Sequence, residues 1–266
     1  MIEKIHAYLR PLGRVAVAYS GGVDSTLVLK AALDALGSEQ VVALLAVSPS
    51  LPQSEKAAAV ALAHHLGARV ELLPTEETSD PQYQANAPNR CYFCKDHVYR
   101  ALRQFAEQSG IAHVLDGMNA EDTLDVRPGR AAARELNIRS PLFDLGFTKQ
   151  QVRETAKMLA LPNWNKPAAA CLASRVPYGT SVTPKLLSQI ERAEAALFDL
   201  GFRELRVRHH GDVARLEVPV SDLLRALQQR EAITVALRGV GYTYVTLDLA
   251  GLRSGSMNEV LTARAA

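Results

Sequence analysis

The hydrophobic and polar positions fall into two patterns along the chain. In the first, continuous apolar runs alternate with segments of helical period. Arg14–Tyr19, Val41–Val47, Arg69–Leu73 and Ala112–Leu115 predict strands buried on both faces. Between them, Asp24–Leu36, Ser54–Leu66 and Asp96–Gln108 predict helices. Gly37 and Gly67 end the first two of these, and Pro52 precedes the second. Thr148–Leu159 predicts another helix, with Thr148 and Gln151 as its capping box. The rhythm implies an α/β fold, a parallel sheet with covering helices.

Pro162–Gly179 breaks this rhythm with three prolines, and a domain boundary is expected there. The expected division is 1–162, a connecting segment 163–180, and a small α+β domain 181–266. In that last part Pro184–Leu200 and Leu223–Leu237 predict helices. "FRELRVRHH" and "ARLEV" alternate like paired strands about "HHGD", and "YTYVTLDL" predicts a final strand. No internal repeat or low-complexity segment is evident.

Composition narrows the class without naming a function. Hydrophobic residues make up 48% and charged residues 22%, with a formal charge of +2, too mild to argue for nucleic acid. No apolar run has the length of a membrane span, and "MIEKIHAYLR" lacks a signal-peptide core, so a cytoplasmic protein is expected. Three cysteines make a disulfide framework unexpected.

The chemistry begins at "AVAYSGGVDSTLVLKAAL", where Ser20, Gly21, Gly22, Asp24 and Ser25 stand between a predicted strand and helix. Two glycines let the backbone approach a ligand, and the serine hydroxyls and free helix N–H groups suit phosphate oxygens. Asp24 has the wrong charge for phosphate and the right one for a bridging Mg2+. Neither the Gly-Lys-Ser/Thr of a common P-loop nor a third dinucleotide-binding glycine follows. Downstream, "DGMNAEDTLDVRPG" places Asp116, Gly117 and Asn119 at the carboxyl edge of the sheet. Asp122 and Asp125 read equally as ligand contacts or loop caps. Arg127, Arg130, Arg134 and Arg139 read as a solvated helix face, with Arg127 a candidate for the cleft. His209 and His210 are adjacent on a strand and point to opposite faces, so they make no site. Trp164 either stacks on a nucleotide or seals the domain joint.

"SGGVDS" after a buried first strand resembles the PP-loop of the N-type ATP pyrophosphatases. Taken together, "PNRCYFCK", "DGMNAEDTLDVRPG" and "WNKPAAACLASRVPYGT" closely resemble, over nearly the full chain, the ATP-dependent sulfur transferases of nickel-pincer cofactor biosynthesis, the LarE family. The resemblance implies a carboxylate of pyridinium-3,5-biscarboxylic acid mononucleotide adenylated at the expense of ATP and Mg2+. The thiocarboxylate that results serves lactate racemase maturation. It implies Cys171 as the sulfur-bearing cysteine, Ser174 and Arg175 as the polar pair beside it, and Arg206 and Arg208 as ligands of the substrate phosphate. Ser48, at the end of the second strand, becomes a candidate nucleotide contact. Glu194 becomes a candidate metal contact, with Glu191 its rival, and a solvated helix face explains either equally well. Homo-oligomers are expected by the same likeness.

The cysteines divide the family. One branch sacrifices the sulfur of a lone cysteine, and another holds an iron–sulfur cluster on three. Cys91, Cys94 and Cys171 match the second, and three thiolates can hold a 4Fe–4S cluster with one iron open for sulfide. Zinc on these three cysteines and His97 is an alternative, as is an idle Cys91–Cys94 pair with only Cys171 reacting. Two other functions compete: a transfer-RNA thiolase, which lacks support in the charge, and a nucleotide sensor, which leaves Cys171 unexplained.

Overall fold

Strand β1, Val15–Ala18, is apolar throughout and almost wholly buried. It is the middle strand of a five-stranded sheet in which every pairing is parallel. The others are β2 (Val41–Val47), β3 (Arg69–Pro74), β4 (His113–Leu115) and β5 (Ile138–Arg139). The order β3-β2-β1-β4-β5 reverses direction between β1 and β4. In an open parallel sheet that reversal leaves a crevice beyond the carboxyl ends of those two strands, the usual place for a ligand. The computed structural model describes residues 1–123, 133–167, 170–253 and 255–259. Asp125, Arg127 and Arg130 lie outside the described residues.

Period-2 geometry sorts each apolar run onto two faces. Val15, Val17, Val41, Ala43 and Leu45 join one core cluster, and Ala16, Val42 and Leu44 join another. The first cluster is closed by helices α1 (Ile2–Leu9), α2 (Val23–Leu36) and α3 (Gln53–His65). The second is closed by α4 (Arg90–Gln108) through Tyr99, Leu102 and Ala106. Helix α5 (Lys149–Met158) adds Val152 and Ala156 to the first, and its Thr148–Gln151 capping box is present as expected. Each such buried aliphatic side chain contributes about 1.5–3 kcal/mol, which is why uninterrupted apolar strands and covering helices go together.

The chain divides into two compact units, the first Met1–Asp80 with Asn89–Ala169, the second Pro81–Pro88 with Ala170–Ala266. Asn86 ties the short piece into the second unit: its Nδ2 donates to the Pro177 carbonyl (2.8 Å) and the Thr180 carbonyl (3.1 Å). The second unit packs α6 (Pro184–Asp199) and α8 (Arg230–Gly239) on a sheet of β6 (Arg206–His210), β7 (Val213–Glu217) and β8 (Tyr244–Leu247). The hairpin β6–β7 is antiparallel, and β8 joins β7 in parallel.

Several boundaries differ from expectation. Helix α4 starts at Arg90 rather than Asp96, so Cys91 and Cys94 are helical. The helix expected over Leu223–Leu237 is two, α7 (Leu223–Gln228) and α8, broken at Gln229 without glycine or proline. Arg139 lies on β5, not on a helix face, while Arg134 is exposed. His209 is buried beside Tyr242 and His210 is exposed, as alternation on a strand requires. Among the described residues no helix is long and apolar enough to cross a membrane.

Candidate active site

After β1 the chain turns through Ser20 and Gly21 into Gly22, the N-cap of α2. Ser25 folds back over this turn: its hydroxyl donates to the Gly22 carbonyl (3.2 Å) and accepts the Ser20 N–H (3.2 Å). Gly21 has φ +72°, and a Cβ there would stand 2.7 Å from Ala59 Cβ on α3. From behind, Asn163 Nδ2 donates to the Gly21 carbonyl (3.1 Å) and Thr26 Oγ1 (2.9 Å). The cap carries no side-chain hydrogen bond, so the first N–H groups of α2 are left to an incoming acceptor. They border a cavity of about 300 Å3 lined by Ser20, Gly22, Asp24 and Ser25 from this turn.

The loop after β4 forms the opposite wall. Asp116 is 4% exposed; its carboxylate accepts the Tyr99 hydroxyl (2.8 Å) and the Met118 N–H (3.1 Å). Burial holds the Asp116 carboxyl above the usual range, and burial beside that carboxyl raises the Tyr99 hydroxyl too. Asp116 therefore anchors the loop. Gly117 then passes so close to α2 that a Cβ would lie 2.6 Å from Ser25 N and 2.9 Å from Ser25 Cα. Asn119 Nδ2 donates to Asp24 Oδ1 (3.1 Å), and Lys149 Nζ donates to Asp24 Oδ2. Asp122 accepts the Asn119 N–H (3.0 Å), so it caps the turn while also lining the cavity.

A prediction follows from Gly117. The alanine variant must displace the first turn of α2, at a cost of about 1–3 kcal/mol for overpacking. We expect ATP affinity to fall while the far-ultraviolet dichroism stays native. Calorimetric titration reads it, and unchanged affinity would separate Gly117 from the nucleotide.

Helix α4 contributes Lys95, Val98 and Tyr99 to the same cavity. Lys95 and Tyr99 were not anticipated; their i,i+4 spacing becomes a signal only once the helix is known to begin at Arg90. Cys91 and Cys94, an i,i+3 pair on the first turns, form no disulfide among the described residues, and one is exposed and the other half-buried. Nε2 of His97 lies 2.9 Å from Asp80 Oδ2. Ser48 is turned toward Ser50 (2.7 Å), which donates to the buried Glu77 (3.0 Å), and is not among the residues lining the cavity. Trp164 packs half-buried on the first core cluster, with Lys157 Nζ 4.9 Å from the ring centroid.

In the second unit Cys171 opens a short 3-10 turn, Leu172–Arg175, with its thiol free and partly exposed. Its carbonyl accepts the Ser174 hydroxyl (2.8 Å) and Arg175 Nη1 (3.0 Å). Arg175 is clamped by Glu194 through a two-pronged pair, Nε to Oε1 at 2.9 Å and Nη2 to Oε2 at 3.0 Å. Glu194 Oε1 also accepts the Val207 N–H (3.0 Å), fixing β6 to α6. Glu194 is 6% exposed, so its oxygens serve Arg175 and β6 rather than an open metal position, while Glu191 is half-buried one turn earlier. Losing one partner of such a buried pair costs about 3–5 kcal/mol, the signature of a framework.

The two arginines expected at the substrate phosphate separate as well. Arg208 is buried and donates to Glu217 (2.7 Å), Ser256 (2.9 Å) and the Ser174 carbonyl (3.0 Å). Among the described residues its buried Nε finds no partner. Arg206 is half-buried, donates to its neighbour's carbonyl at Leu205 (2.7 Å), and is held below the usual guanidinium range by burial and then by Arg175. Cys91 and Cys94 belong to one unit and Cys171 to the other. Among the described residues no group of three or more His, Cys, Asp or Glu is arranged to hold a metal. The donor chemistry suits an iron–sulfur group, but neither unit assembles the trio by itself.

Comparison with known proteins agrees with this geometry. A family model described as NAD synthase matches residues 3–107, the part that holds β1, its glycine turn and α4. A glutamine-dependent NAD(+) synthetase of Xylella fastidiosa is 34% identical over 33% of this chain and 16% of its own. An uncharacterized protein of Synechocystis is 43% identical over 98% of both chains. A pyridinium-3,5-bisthiocarboxylic acid mononucleotide synthase of Lactiplantibacillus plantarum is 44% identical over 96% of this chain and 93% of its own. With a glycine turn at the sheet's reversal point and a likeness running nearly end to end, the chain belongs to the family of that bisthiocarboxylic acid mononucleotide synthase.

Proposed function

We infer that the protein is an ATP-dependent sulfur transferase that converts a carboxylate of pyridinium-3,5-biscarboxylic acid mononucleotide to the thiocarboxylate, for a nickel-pincer cofactor. The full-length likeness to the L. plantarum synthase carries this reading. The cavity at the sheet reversal, with an uncapped helix and a carboxylate at its rim, supports it. ATP lays its phosphates on the turn of Ser20, Gly21, Gly22 and Ser25, and Lys95 adds a cation to the wall. Asp24 would hold the Mg2+ that accompanies ATP, and that metal would supply charge stabilisation for the leaving pyrophosphate.

A ring carboxylate oxygen of the substrate attacks the α-phosphorus, and the bond to the β-phosphate oxygen breaks. Pyrophosphate leaves and an acyl-adenylate remains. The gain is in the leaving group, since AMP departs from the acyl carbon far more readily than oxide. A sulfur nucleophile then attacks that carbon, and AMP takes the bonding pair. Ser174 and Arg175 set the backbone that carries Cys171, and Arg206 meets the substrate phosphate by charge-assisted hydrogen bonds. Arg208 supports this strand through Glu217 and offers its unpartnered Nε. A 4Fe–4S cluster on Cys91, Cys94 and Cys171 would supply sulfide at its open iron, sparing the protein's own sulfur. The i,i+3 spacing of Cys91 and Cys94 on α4, which puts both thiols on one side of the helix, supports that assignment. Exposed Val220, Leu224 and Leu227 in the second unit support a homo-oligomer.

The test is pyrophosphate release by anaerobically purified protein given MgATP. Release is expected only when the pyridinium dicarboxylate mononucleotide is added. Release dependent on transfer RNA, or independent of any acceptor, would contradict the reading.

A further inference from the structure

We propose that Lys149 is a positioning residue that occupies the metal-binding oxygen of Asp24 until a nucleotide brings its own metal. This deepens the function proposed above and rests on reading the Ser20–Ser25 turn as a metal–nucleotide site. Four observations carry it.

First, Lys149 is the opening residue of α5, directly after the Thr148 cap, in a first turn without acidic residues. A cation there faces the positive end of the helix dipole, which costs about 0.3–1 kcal/mol, so the position calls for a compensating partner. Second, that partner is Asp24, 125 residues away in sequence, through Oδ2. Third, Asn119 fixes the other oxygen, Oδ1, at 3.1 Å. The carboxylate is thus held from both ends, and a metal at Oδ2 would share that oxygen with the ammonium. Fourth, Lys149 also lines a separate cavity of about 550 Å3, where Glu121 and Glu154 stand beside the cations Arg153 and Lys157. The ammonium thus has open space beside it into which it can leave Asp24.

An ammonium and a divalent ion on one carboxylate oxygen repel each other. Free metal must therefore expel Lys149 unaided and binds weakly. Metal arriving on ATP does not face this alone, because the phosphates contact the turn and offer the displaced ammonium new acceptors. Lys149 so makes the site selective for nucleotide-borne metal over the free ion.

The experiment needs neither turnover nor the acceptor substrate. Free Mn2+ is titrated into nucleotide-free full-length protein and unbound ion is counted by electron paramagnetic resonance. Lys149→Met is expected to bind Mn2+ about tenfold more tightly than wild type, the size of a typical coupling between sites. Lys149→Arg keeps the charge and should match wild type. Asp24→Asn combined with Lys149→Met should lose the gain. Equal affinity in Lys149→Met and wild type overturns the proposal, as does a gain that survives Asp24→Asn. Should Lys149→Met not fold, wild-type protein still decides: saturating Mn2+ must raise acetylation of Lys149 relative to Lys30, and an unchanged ratio overturns it. A tightened Mn2+ site together with no acceptor-dependent pyrophosphate release would leave Lys149 assigned and the proposed function refuted. The opposite pair of results would do the reverse.

Discussion

Cys171→Ala should reduce thiocarboxylate formation to background while pyrophosphate release with the acceptor present continues. In the proposed mechanism the two half-reactions draw on separate residues: adenylation on the Ser20–Ser25 turn and Asp24, sulfur delivery on Cys171. Among the described residues the Cys171 side chain makes no capping hydrogen bond to its turn, which is set by the carbonyl of Cys171 with Ser174 and Arg175. The substitution therefore removes sulfur without removing the fold. Cys91→Ala and Cys94→Ala extend the test. In a cluster enzyme each lowers iron content and transfer, whereas in a sacrificial enzyme neither matters and spent Cys171 loses the mass of hydrogen sulfide. Coupled loss of pyrophosphate release in Cys171→Ala would place the cysteine in the nucleotide chemistry instead.

The second large effect is at Asp24. Asp24→Ala should lower acceptor-dependent pyrophosphate release roughly a hundredfold to a thousandfold, because a bound metal stabilises the transition-state charge by several kcal/mol. Stability should change little. The Asp24–Lys149 pair is partly exposed, with side chains 20% and 30% accessible, and pairs near the surface contribute about 0–1 kcal/mol. Rapid-quench measurement of pyrophosphate, beside thermal unfolding, reads both quantities. A variant that releases pyrophosphate at the wild-type rate removes Asp24 from the metal site.

How much of this was legible beforehand depends on the range of the interaction. The buried strands β1 and β2 were readable because long apolar runs suit burial on both faces, whereas β3, expected to be buried likewise, is an edge strand left largely half-exposed, with Leu72 open to solvent. The turn at Ser20–Ser25 was readable because Gly21 needs a positive φ and Gly22 an uncapped helix start, both local demands. The start of α4 was not. Asn89 makes no side-chain cap, and "RCYFCK" looks like a cysteine-bearing loop until it is packed. Strand β5 is two residues long, too short for any period to register.

Polar residues were readable as important but not in their roles. Glu194 meets Arg175 only because α6 packs on the turn after Cys171. The Arg208–Glu217 pair depends on the register of the β6–β7 hairpin, which places Arg206, not Arg208, directly opposite Glu217. Lys149 could not be read at all. Nothing in "GFTKQQ" announces a partner on another helix, and the packing of α5 on α2 brings the two together.

The most direct measurement is the product itself. Anaerobic protein is incubated with MgATP, a sulfide source and pyridinium-3,5-biscarboxylic acid mononucleotide, and the mononucleotide is weighed by mass spectrometry. A product in which one carboxylate oxygen has been exchanged for sulfur, formed with equal amounts of AMP and pyrophosphate, is the expected result. ATP cleaved to AMP and pyrophosphate while the mononucleotide keeps all its oxygens would contradict it.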